Sequence, residues 1–417
     1  MTALRAANIA EPQRRRLRDR VEAEAYVASV CFKHGPPRLT GIELEWTVHH
    51  RDDPRRPLDA DHLRAALGPY APRTLVPDSP QLPLPAGSPL TLEPGGQVEI
   101  SALPQTSLAD LFDNVSTDLG VLVELLAAEG LVLGQSGTDP HRSPRRILDT
   151  PRYAAMERAF TPIGPHGMTM MCCTAALQVC LDAGEADTLA RRWAAVCSLG
   201  PVLVAAFANS PDLAGRATGW ASNRLRSVLA VDPARSAPSA ISDDPVRDWA
   251  RRVLDTPLLC VRGPGECWDA PAGTTFADWL DGALGHLPTV DDLDYHVTTM
   301  FTPVRPHGYF EVRYLDTQSG ADWMAPVALL SALMSSQATV DTVVELCRPV
   351  ADRWLAAARA GLADQKIAQV AGPVLELGIQ ALPETGLGKE VVESITADLD
   401  RVLRRAARGQ ASNGGEA

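Results

Sequence analysis

The chain has 417 residues, 45% hydrophobic and 22% charged, proportions that are typical of a globular protein with a substantial core. Its formal net charge of −12 argues against nonspecific binding to nucleic acid or to an anionic membrane surface. A phosphate-bearing ligand would need a local cluster of arginines or a metal ion to bind against this overall field.

The sequence predicts neither export nor a membrane span. The N-terminal segment lacks the apolar core of a signal peptide. The apolar stretches near 201–208 and 324–334 are shorter than the roughly 20 residues that cross a bilayer. The eight cysteines form no CxxC pair and no zinc-ligand spacing, so reduced and mostly buried thiols are expected. The resulting prediction is a cytoplasmic protein with no membrane partner.

The first hundred residues alternate between periodic segments and a proline-rich stretch. Apolar residues at helical spacing predict a helix over 13–33. The segment RLTGIELEWTVHH, residues 38–50, alternates as a strand does. The proline-rich stretch 51–90 predicts a surface excursion with a short helix over 59–67. In LEPGGQVEIS, residues 92–101, a Pro-Gly-Gly turn precedes an alternating strand and predicts a hairpin.

The remainder of the chain is richer in helix. Ser107 is the predicted cap of a well-marked helix. The elements predicted after it are a strand over 131–137, a basic loop over 138–153, a long strand over 168–182, helices over 186–208 and 243–254, a strand over 310–316, a helical region over 324–408 and a disordered tail over 409–417. Strands followed by C-terminal helices predict an α+β fold with a mainly antiparallel sheet. Neither a repeat nor a linker is visible, so a single catalytic domain over 1–408 is expected.

Acidic residues recur in the predicted strands. Glu43 and Glu45 lie two apart in GIELEW and should share one face of the sheet. Glu93 and Glu99 flank the Pro-Gly-Gly turn, and Glu311 lies in YFEVRYLD. Each pair alone is compatible with a solvated sheet face. Five buried carboxylates together would repel one another, and hard divalent cations relieve that repulsion. The set therefore predicts a site for more than one metal ion.

Gln178 and several arginines extend this pattern. Gln178 lies in the strand TAALQVCLD and offers a neutral oxygen ligand, although a lone strand glutamine is more often a satisfied polar residue. Arg313 shares a face with Glu311, and a buried cation needs a partner. Other arginines, which are usually solvated in loops, are Arg142, Arg145, Arg146, Arg152, Arg224 and Arg226. Metals and arginines in an acidic protein point to a nucleoside triphosphate and a carboxylate substrate.

Two common nucleotide-binding motifs are absent from the sequence. GPGECW, residues 263–268, fails at the last position of the GxGxxG fingerprint, and no strand precedes it. GLGK, residues 386–389, lacks the spacing and the Ser/Thr of a P-loop. A nucleotide site, if present, must therefore be built from the acidic strands and the arginines.

Six segments together resemble the plant and proteobacterial type of glutamate–cysteine ligase, which is related to the catalytic domain of glutamine synthetase. They are GIELEW, LEPGGQVEIS, the TxxxQVxLD strand at 174–182, FANSP at 207–211, HVTTMF at 296–301 and YFEVRYLD at 309–316. The resemblance covers about residues 26–345, with a looser helical remainder. It implies a curved, mainly antiparallel sheet that is flanked by helices and holds ATP, divalent metals and glutamate on its concave face.

The resemblance also assigns roles to individual residues. The implied metal ligands are Glu43, Glu45, Glu93, Glu99, Gln178 and Glu311. Arg313 is implied to contact the transferred phosphate, so Glu311 and Arg313 are the expected catalytic residues. Arg142 and Arg224 are implied to bind the substrate glutamate. Mg²⁺, or alternatively Mn²⁺, is the expected metal cofactor, with ATP as co-substrate.

The reaction implied by the resemblance is ATP-dependent ligation of the γ-carboxylate of glutamate to cysteine. The product, γ-glutamylcysteine, would feed ergothioneine biosynthesis in the actinobacterial branch of the family. Three alternatives stay open: another γ-glutamyl–amine ligase, a guanidino kinase on the same scaffold, and a nucleotide- or metal-binding protein without turnover. The expected partners are small molecules and not nucleic acid or membrane, and the protein is expected to be a monomer or small homo-oligomer.

Overall fold

The computed structural model describes residues 15–411, with side chains through residue 408. The helices are α1 Arg20–Cys31, α2 Ala60–Leu67, α3 Leu108–Ala128, α4 Pro151–Phe160, α5 Pro165–Cys173, α6 Leu189–Phe207, α7 Asn223–Leu229, α8 Pro233–Ser236, α9 Pro245–Asp255, α10 Phe276–Leu280, α11 Val290–Val297, α12 Met324–Leu333, α13 Gln337–Cys347, α14 Trp354–Ala360, α15 Gln365–Ala381 and α16 Lys389–Ala411. Short 3-10 turns span Gly68–Tyr70, Thr161–Ile163, Arg348–Val350, Gly361–Ala363 and Leu382–Thr385.

The strands are β1 Thr40–Trp46, β2 Val48–His50, β3 Leu90–Leu92, β4 Val98–Ser101, β5 Leu131–Leu133, β6 Ala176–Leu181, β7 Asp212–Leu213, β8 Arg216–Ala217, β9 Val304–Pro306 and β10 Phe310–Asp316. Six of them form the main sheet in the order β3-β4-β1-β6-β10-β9. All five neighbouring pairs in that sheet are antiparallel. The predicted mixture of helices with a mainly antiparallel sheet is therefore confirmed.

One face of this sheet belongs to the hydrophobic core. Strand residues with period two, such as Ile42, Leu44 and Val312, are completely or almost completely buried, and each fully buried aliphatic side chain contributes about 1.5–3 kcal/mol. Helix α3 contacts β1 and β4, and α6 contacts β10. Trp193 of α6 packs edge-on against Phe310, with 5.3 Å between ring centroids. The opposite face is thereby left for polar side chains.

The C-terminal helices continue the same core, as the helical pattern over 324–408 predicted. Helices α13, α14 and α15 pack against α6. Gly200 of α6 lets Trp354 approach so closely that a Cβ there would come within 1.8 Å of the indole ring. Helix α16 continues through Ala411, so residues 409–411 are helical and do not belong to the predicted tail. The rest of that tail, 412–417, lies outside the described residues.

Helix α6 is long and apolar enough to cross a membrane, contrary to the expectation that every apolar stretch is too short. Almost all of that stretch is buried inside the protein, as in the core helix of a globular fold. The prediction for the cysteines is confirmed, since all eight are free thiols and Cys267 alone among them is exposed.

Two element predictions are wrong. Residues 168–173 form the end of α5 and not the start of a strand. Pro165 occupies the first helical turn, where its fixed φ favours a helix, and the short apolar run MTMMCC fits a buried helix as well as a strand. The first helix begins at Arg20 and not at residue 13, because Asp19 caps it by accepting a hydrogen bond from the backbone N–H of Glu22. Residues 13 and 14 lie outside the described residues.

Candidate active site

Polar side chains from successive strands meet on the face of the sheet opposite the core. Glu45 of β1 lies directly opposite Glu99 of β4, which in turn lies opposite Thr91 of β3. Two residues before Glu45 in β1, Glu43 lies between Ser101 of β4 and Gln178 of β6. Because side chains alternate along a strand, Glu43 and Glu45 point to the same side. The sequence prediction of a shared glutamate face is confirmed.

The Pro-Gly-Gly turn brings in Glu93, which precedes β4. Gly96 has a φ of +84°, and its N–H donates to the carbonyl oxygen of Glu93. A Cβ at Gly95 would lie 2.2 Å from the carbonyl oxygen of Cys172, so this position accepts no side chain without displacement of α5. The turn therefore holds Glu93 beside the sheet: one carboxylate oxygen from each of Glu45, Glu93 and Glu99 lies within 4.8 Å of the others.

Neighbouring groups orient two of these carboxylates. Glu45 accepts hydrogen bonds from the backbone N–H of Ala176 at 2.8 Å and from the amide of Gln178 at 2.6 Å. Glu99 accepts from the hydroxyl of Ser101 at 2.5 Å. These contacts fix the direction of the carboxylates, and each oxygen keeps a further lone pair that a ligand can use.

Burial and mutual repulsion raise the pKa values of the four glutamates. Burial, followed by the charges of Glu99 and Glu311, raises the pKa of Glu43 to about 8. Burial and neighbouring glutamates raise the pKa values of Glu45 and Glu93 to about 7 and raise that of Glu99. Ionisation of all four buried glutamates is unfavourable unless a cation binds to them. An all-oxygen, acidic donor set of this kind fits a hard divalent cation.

Glu311 differs from the other glutamates. Arg305 of β9 lies opposite it in register and donates to its two oxygens at 2.5 and 3.0 Å, and Arg313 donates to one of them at 3.0 Å. Although burial raises the pKa of Glu311, these two arginines lower it to about 2. Glu311 is therefore ionised and held by arginines. The structure does not bring it into the group formed by Glu45, Glu93 and Glu99.

Two of the predicted arginines reach the acidic cavity. Arg313 donates to the side-chain oxygen of Gln178 at 2.6 Å, and both Arg313 and Arg224 line a cavity together with Glu45 and Glu93. Arg224 also donates to the backbone carbonyl of Arg313 at 3.1 Å. The cavity thus presents carboxylates on the sheet and guanidinium groups beside them.

Arg142, the other arginine implied to bind glutamate, lies elsewhere. It forms a 2.7 Å ion pair with the buried Asp139 and donates to the backbone carbonyl of Val48. It lines a different cavity, next to Gly95 and Cys173. The loop that carries Arg142 is held against the Pro-Gly-Gly turn, since the backbone N–H groups of Ile147 and Leu148 donate to the carbonyl of Pro94. The structure therefore does not place Arg142 with the carboxylates.

The remaining loop arginines have ordinary partners, with one exception. Arg145 donates to the carbonyl of Leu58, Arg146 pairs with Asp149 and Glu157, and Arg226 lies over the ring of Trp220. Arg152 is the exception, since it lines a second cavity, which Glu43, Glu93 and Glu99 also line.

Sequence reasoning overlooked two residues of the site. Arg305 binds Glu311, but this contact depends on the register between β9 and β10, for which the sequence carries no local signal. Asp316 accepts a 2.8 Å hydrogen bond from Arg224, and it shares the YFEVRYLD segment with both Glu311 and Arg313. Both residues support the arginines that line the cavity.

An acidic cavity lined by arginines, on a mixed fold with an antiparallel sheet, has the donor groups that suit a divalent cation and an anionic ligand. The sequence model of a ligase family, described as Glutamate-cysteine ligase family 2, matches residues 39–407. The chain belongs to this family, and the match extends through the C-terminal helices, beyond the boundary near 345 expected from the sequence motifs.

Individual relatives agree with this membership. The chain is 38% identical over 394 residues to a protein of Mycolicibacterium smegmatis named glutamate–cysteine ligase EgtA, covering 92% of this chain and 88% of that one. It is 37% identical over 389 residues to the protein of the same name from Mycobacterium tuberculosis, covering 91% and 87%.

Among solved structures, the fold is similar to that of a bifunctional glutathione synthetase from Pasteurella multocida. The TM-score is 0.51 at 14% sequence identity, and the alignment covers 95% of this chain. The chain spans about half, 52%, of the length of that protein. At this identity the likeness concerns the fold alone.

Proposed function

We propose that this protein uses ATP to join the γ-carboxylate of glutamate to the amine of cysteine, giving γ-glutamylcysteine, ADP and phosphate. Membership of glutamate–cysteine ligase family 2 and the names of its mycobacterial relatives support this assignment. The observation that carries it is the convergence of Glu45, Glu93 and Glu99 in a cavity that Arg224 and Arg313 also line. The product would enter ergothioneine biosynthesis.

The carboxylates of Glu45, Glu93 and Glu99 would hold a divalent cation, which we propose to be Mg²⁺, with Glu43 as the adjacent oxygen donor. The implied role of Gln178 as a metal ligand stays a prediction, since its amide donates to Glu45 and its oxygen accepts from Arg313. When bound, such a cation neutralises charge on phosphate oxygens during transfer. The implied role of Glu311 as a metal ligand stays a prediction. Its contacts support a second role, in which it positions Arg305 and Arg313.

The arginines would bind the anionic parts of the substrates. Arg313, fixed by Gln178 and Glu311, would stabilise the phosphoryl group as an oxygen of the γ-carboxylate attacks the γ-phosphorus and the bond to ADP breaks. Arg224 would bind a carboxylate of glutamate. The amine of cysteine then attacks the acyl carbon of γ-glutamyl phosphate, loses a proton, and phosphate leaves.

Several broader features belong to the same proposal. We expect a curved sheet like that of the glutamine synthetase catalytic domain, a single catalytic domain, action in the cytoplasm on small molecules, and a monomer or small homo-oligomer. The net charge of −12 supports the absence of nucleic-acid partners.

An ADP-release assay tests the proposed function. The protein is supplied with ATP, Mg²⁺ and glutamate, the amine is varied, and the products are identified by mass spectrometry. The proposal predicts γ-glutamylcysteine, with ADP release dependent on both glutamate and cysteine. A phosphorylated guanidine, a clear preference for another amine, or stoichiometric ATP binding without ADP release would each contradict it.

A further inference from the structure

Four arginines line the second cavity, together with Glu43, Glu93 and Glu99: Arg73, Arg152, Arg305 and Arg313. Two of them, Arg305 and Arg313, are paired with Glu311. A guanidinium group that already contacts a carboxylate has less charge to offer to a ligand. The charge of Arg305 and Arg313 is therefore shared with Glu311, whereas Arg152 contacts no carboxylate among the described residues.

Arg152 has only neutral hydrogen-bond partners within the described residues. Its Nη1 donates to the hydroxyl of Thr298 at 3.0 Å, and its Nη2 donates to the carbonyl of the same residue at 3.2 Å. Thr298 follows α11, so these contacts place the cation at the negative end of a helix dipole. They orient the guanidinium without neutralising it with a carboxylate.

An aromatic ring fixes the same group from another side. The guanidinium carbon of Arg152 lies 5.0 Å from the centroid of Tyr295, and Arg262 lies 4.6 Å from that centroid as well. Stacking on a ring restricts a guanidinium and leaves its edges free to donate. Burial alone would lower the pKa of Arg152, but Tyr295 and neighbouring groups outweigh that effect and raise the pKa above its ordinary value, so the group stays charged.

We propose that Arg152 binds the polyphosphate of the nucleotide, in the cavity that Glu93 and Glu99 also line. The inference rests on the proposed function, because it assumes that the cavity takes ATP. A fixed planar cation with neutral anchors can form the bidentate contact that phosphate oxygens favour. The HVTTMF segment then has a physical role, since its Thr298 anchors Arg152.

A competing explanation is that Arg152 serves only as a counter-charge for the glutamates. Arg152 does lower the pKa of Glu93, so the two charges interact. Under that explanation, removal of the cation would strengthen Mg²⁺ binding in the absence of nucleotide and leave nucleotide affinity unchanged. The two roles therefore differ in a measurable quantity.

The experiment compares Arg152→Met with Arg262→Met in the full-length protein. Both substitutions remove a cation from the ring of Tyr295, but Arg262 lies outside the cavity lining and instead contacts the backbone of Asp291. Binding of Mg²⁺-ADP is measured by calorimetry, and the KM for ATP is measured by ADP release. We expect Arg152→Met to weaken ADP binding at least about tenfold, the effect of losing one charged hydrogen bond, and Arg262→Met to leave it unchanged.

A second variant covers a failure of the first to fold. Arg152→Lys keeps the charge but loses the bidentate fork, so ADP affinity should fall between the wild-type and Arg152→Met values. Equal ADP affinity of wild type and a folded Arg152 variant would overturn the inference alone, as would an equal loss in Arg262→Met. Failure of the wild-type protein to bind nucleotide would overturn the proposed function and the inference with it.

Discussion

Asp316 and Arg224 are joined by a 2.8 Å hydrogen bond between Oδ1 and Nε, and both side chains are buried. The same carboxylate accepts from the backbone N–H of Asn209 at 2.8 Å and from the hydroxyls of Ser210 and Ser222 at 2.7 and 2.8 Å. One carboxylate thus joins the end of β10, the FANSP segment and the start of α7. It sets the position of an arginine that lines the proposed substrate cavity.

Asp316→Asn should therefore impair substrate binding as well as stability. Removing one partner of a buried ion pair costs about 3–5 kcal/mol, and Arg224 would lose its orientation. We expect the KM for glutamate to rise at least tenfold, roughly the effect of one charged hydrogen bond, with a smaller change in kcat. Steady-state kinetics and urea unfolding measure the two effects.

Two further variants make this prediction specific. Ser222→Ala removes one donor to Asp316 and should cost about 1 kcal/mol, with a modest rise in the KM for glutamate. Asp322→Asn changes an exposed acid nearby and should leave both quantities unchanged. An unaltered KM for glutamate in folded Asp316→Asn would show that Arg224 does not bind this substrate.

Gly95→Ala should displace the turn that carries Glu93. A Cβ at this position would lie 2.2 Å from the carbonyl oxygen and 2.6 Å from the Cα of Cys172, and backbone atoms cannot yield as a flexible side chain can. We expect a loss of about 1–3 kcal/mol in the free energy of unfolding, the usual effect of overpacking, and weaker Mg²⁺ binding. Gly120→Ala is the control, because a Cβ there meets no atom within 4 Å and alanine favours a helix by about 1 kcal/mol. Equal stability of the two variants would contradict the account of the turn.

The metal-free protein should lose stability as the pH rises from about 5 to 8. Glutamates ordinarily titrate near 4.5, but burial raises the pKa values of Glu45 and Glu93 to about 7 and that of Glu43 to about 8. At a pH between the pKa of such a glutamate in the unfolded chain and its pKa in the folded protein, the folded state binds more protons than the unfolded state. Raising the pH in this range therefore favours unfolding. Each such group contributes up to about 1.4 kcal/mol per pH unit.

Urea unfolding across this pH range, with and without Mg²⁺, measures the effect. Saturating Mg²⁺ should reduce the loss at high pH, because the cation replaces the protons. The contribution of Glu311 to stability depends on pH in the opposite direction. Its pKa is lowered to about 2, so this stabilisation is present above pH 4.5 and is lost only as the pH falls towards 2. Stability of the metal-free protein that stays constant from pH 5 to 8 would contradict the proposed coupling among the glutamates.

The strands and their acidic face could be predicted because period-two alternation is a local property. Glu43 and Glu45 must share a side wherever β1 is placed. The pairing of Arg305 with Glu311 depends on the register between β9 and β10, which no single segment encodes. The position of Arg142 could not be predicted for the same reason, since the path of a loop around a turn is set by tertiary contacts, and its implied role in binding glutamate stays a prediction. The Met-Cys run before β6 was misassigned because a short apolar segment fits a helix or a strand.

The central claim is that glutamates from separate strands hold the metal ion required for phosphoryl transfer. It is tested most directly by ADP release from Glu99→Gln with ATP, Mg²⁺, glutamate and cysteine, with Glu124→Gln, an exposed residue of α3, as the matched control. Losing one electrostatic contact to the transition state typically costs about 100-fold or more in rate. We predict such a loss for Glu99→Gln and wild-type ADP release for Glu124→Gln. Full ADP release by Glu99→Gln would contradict the account.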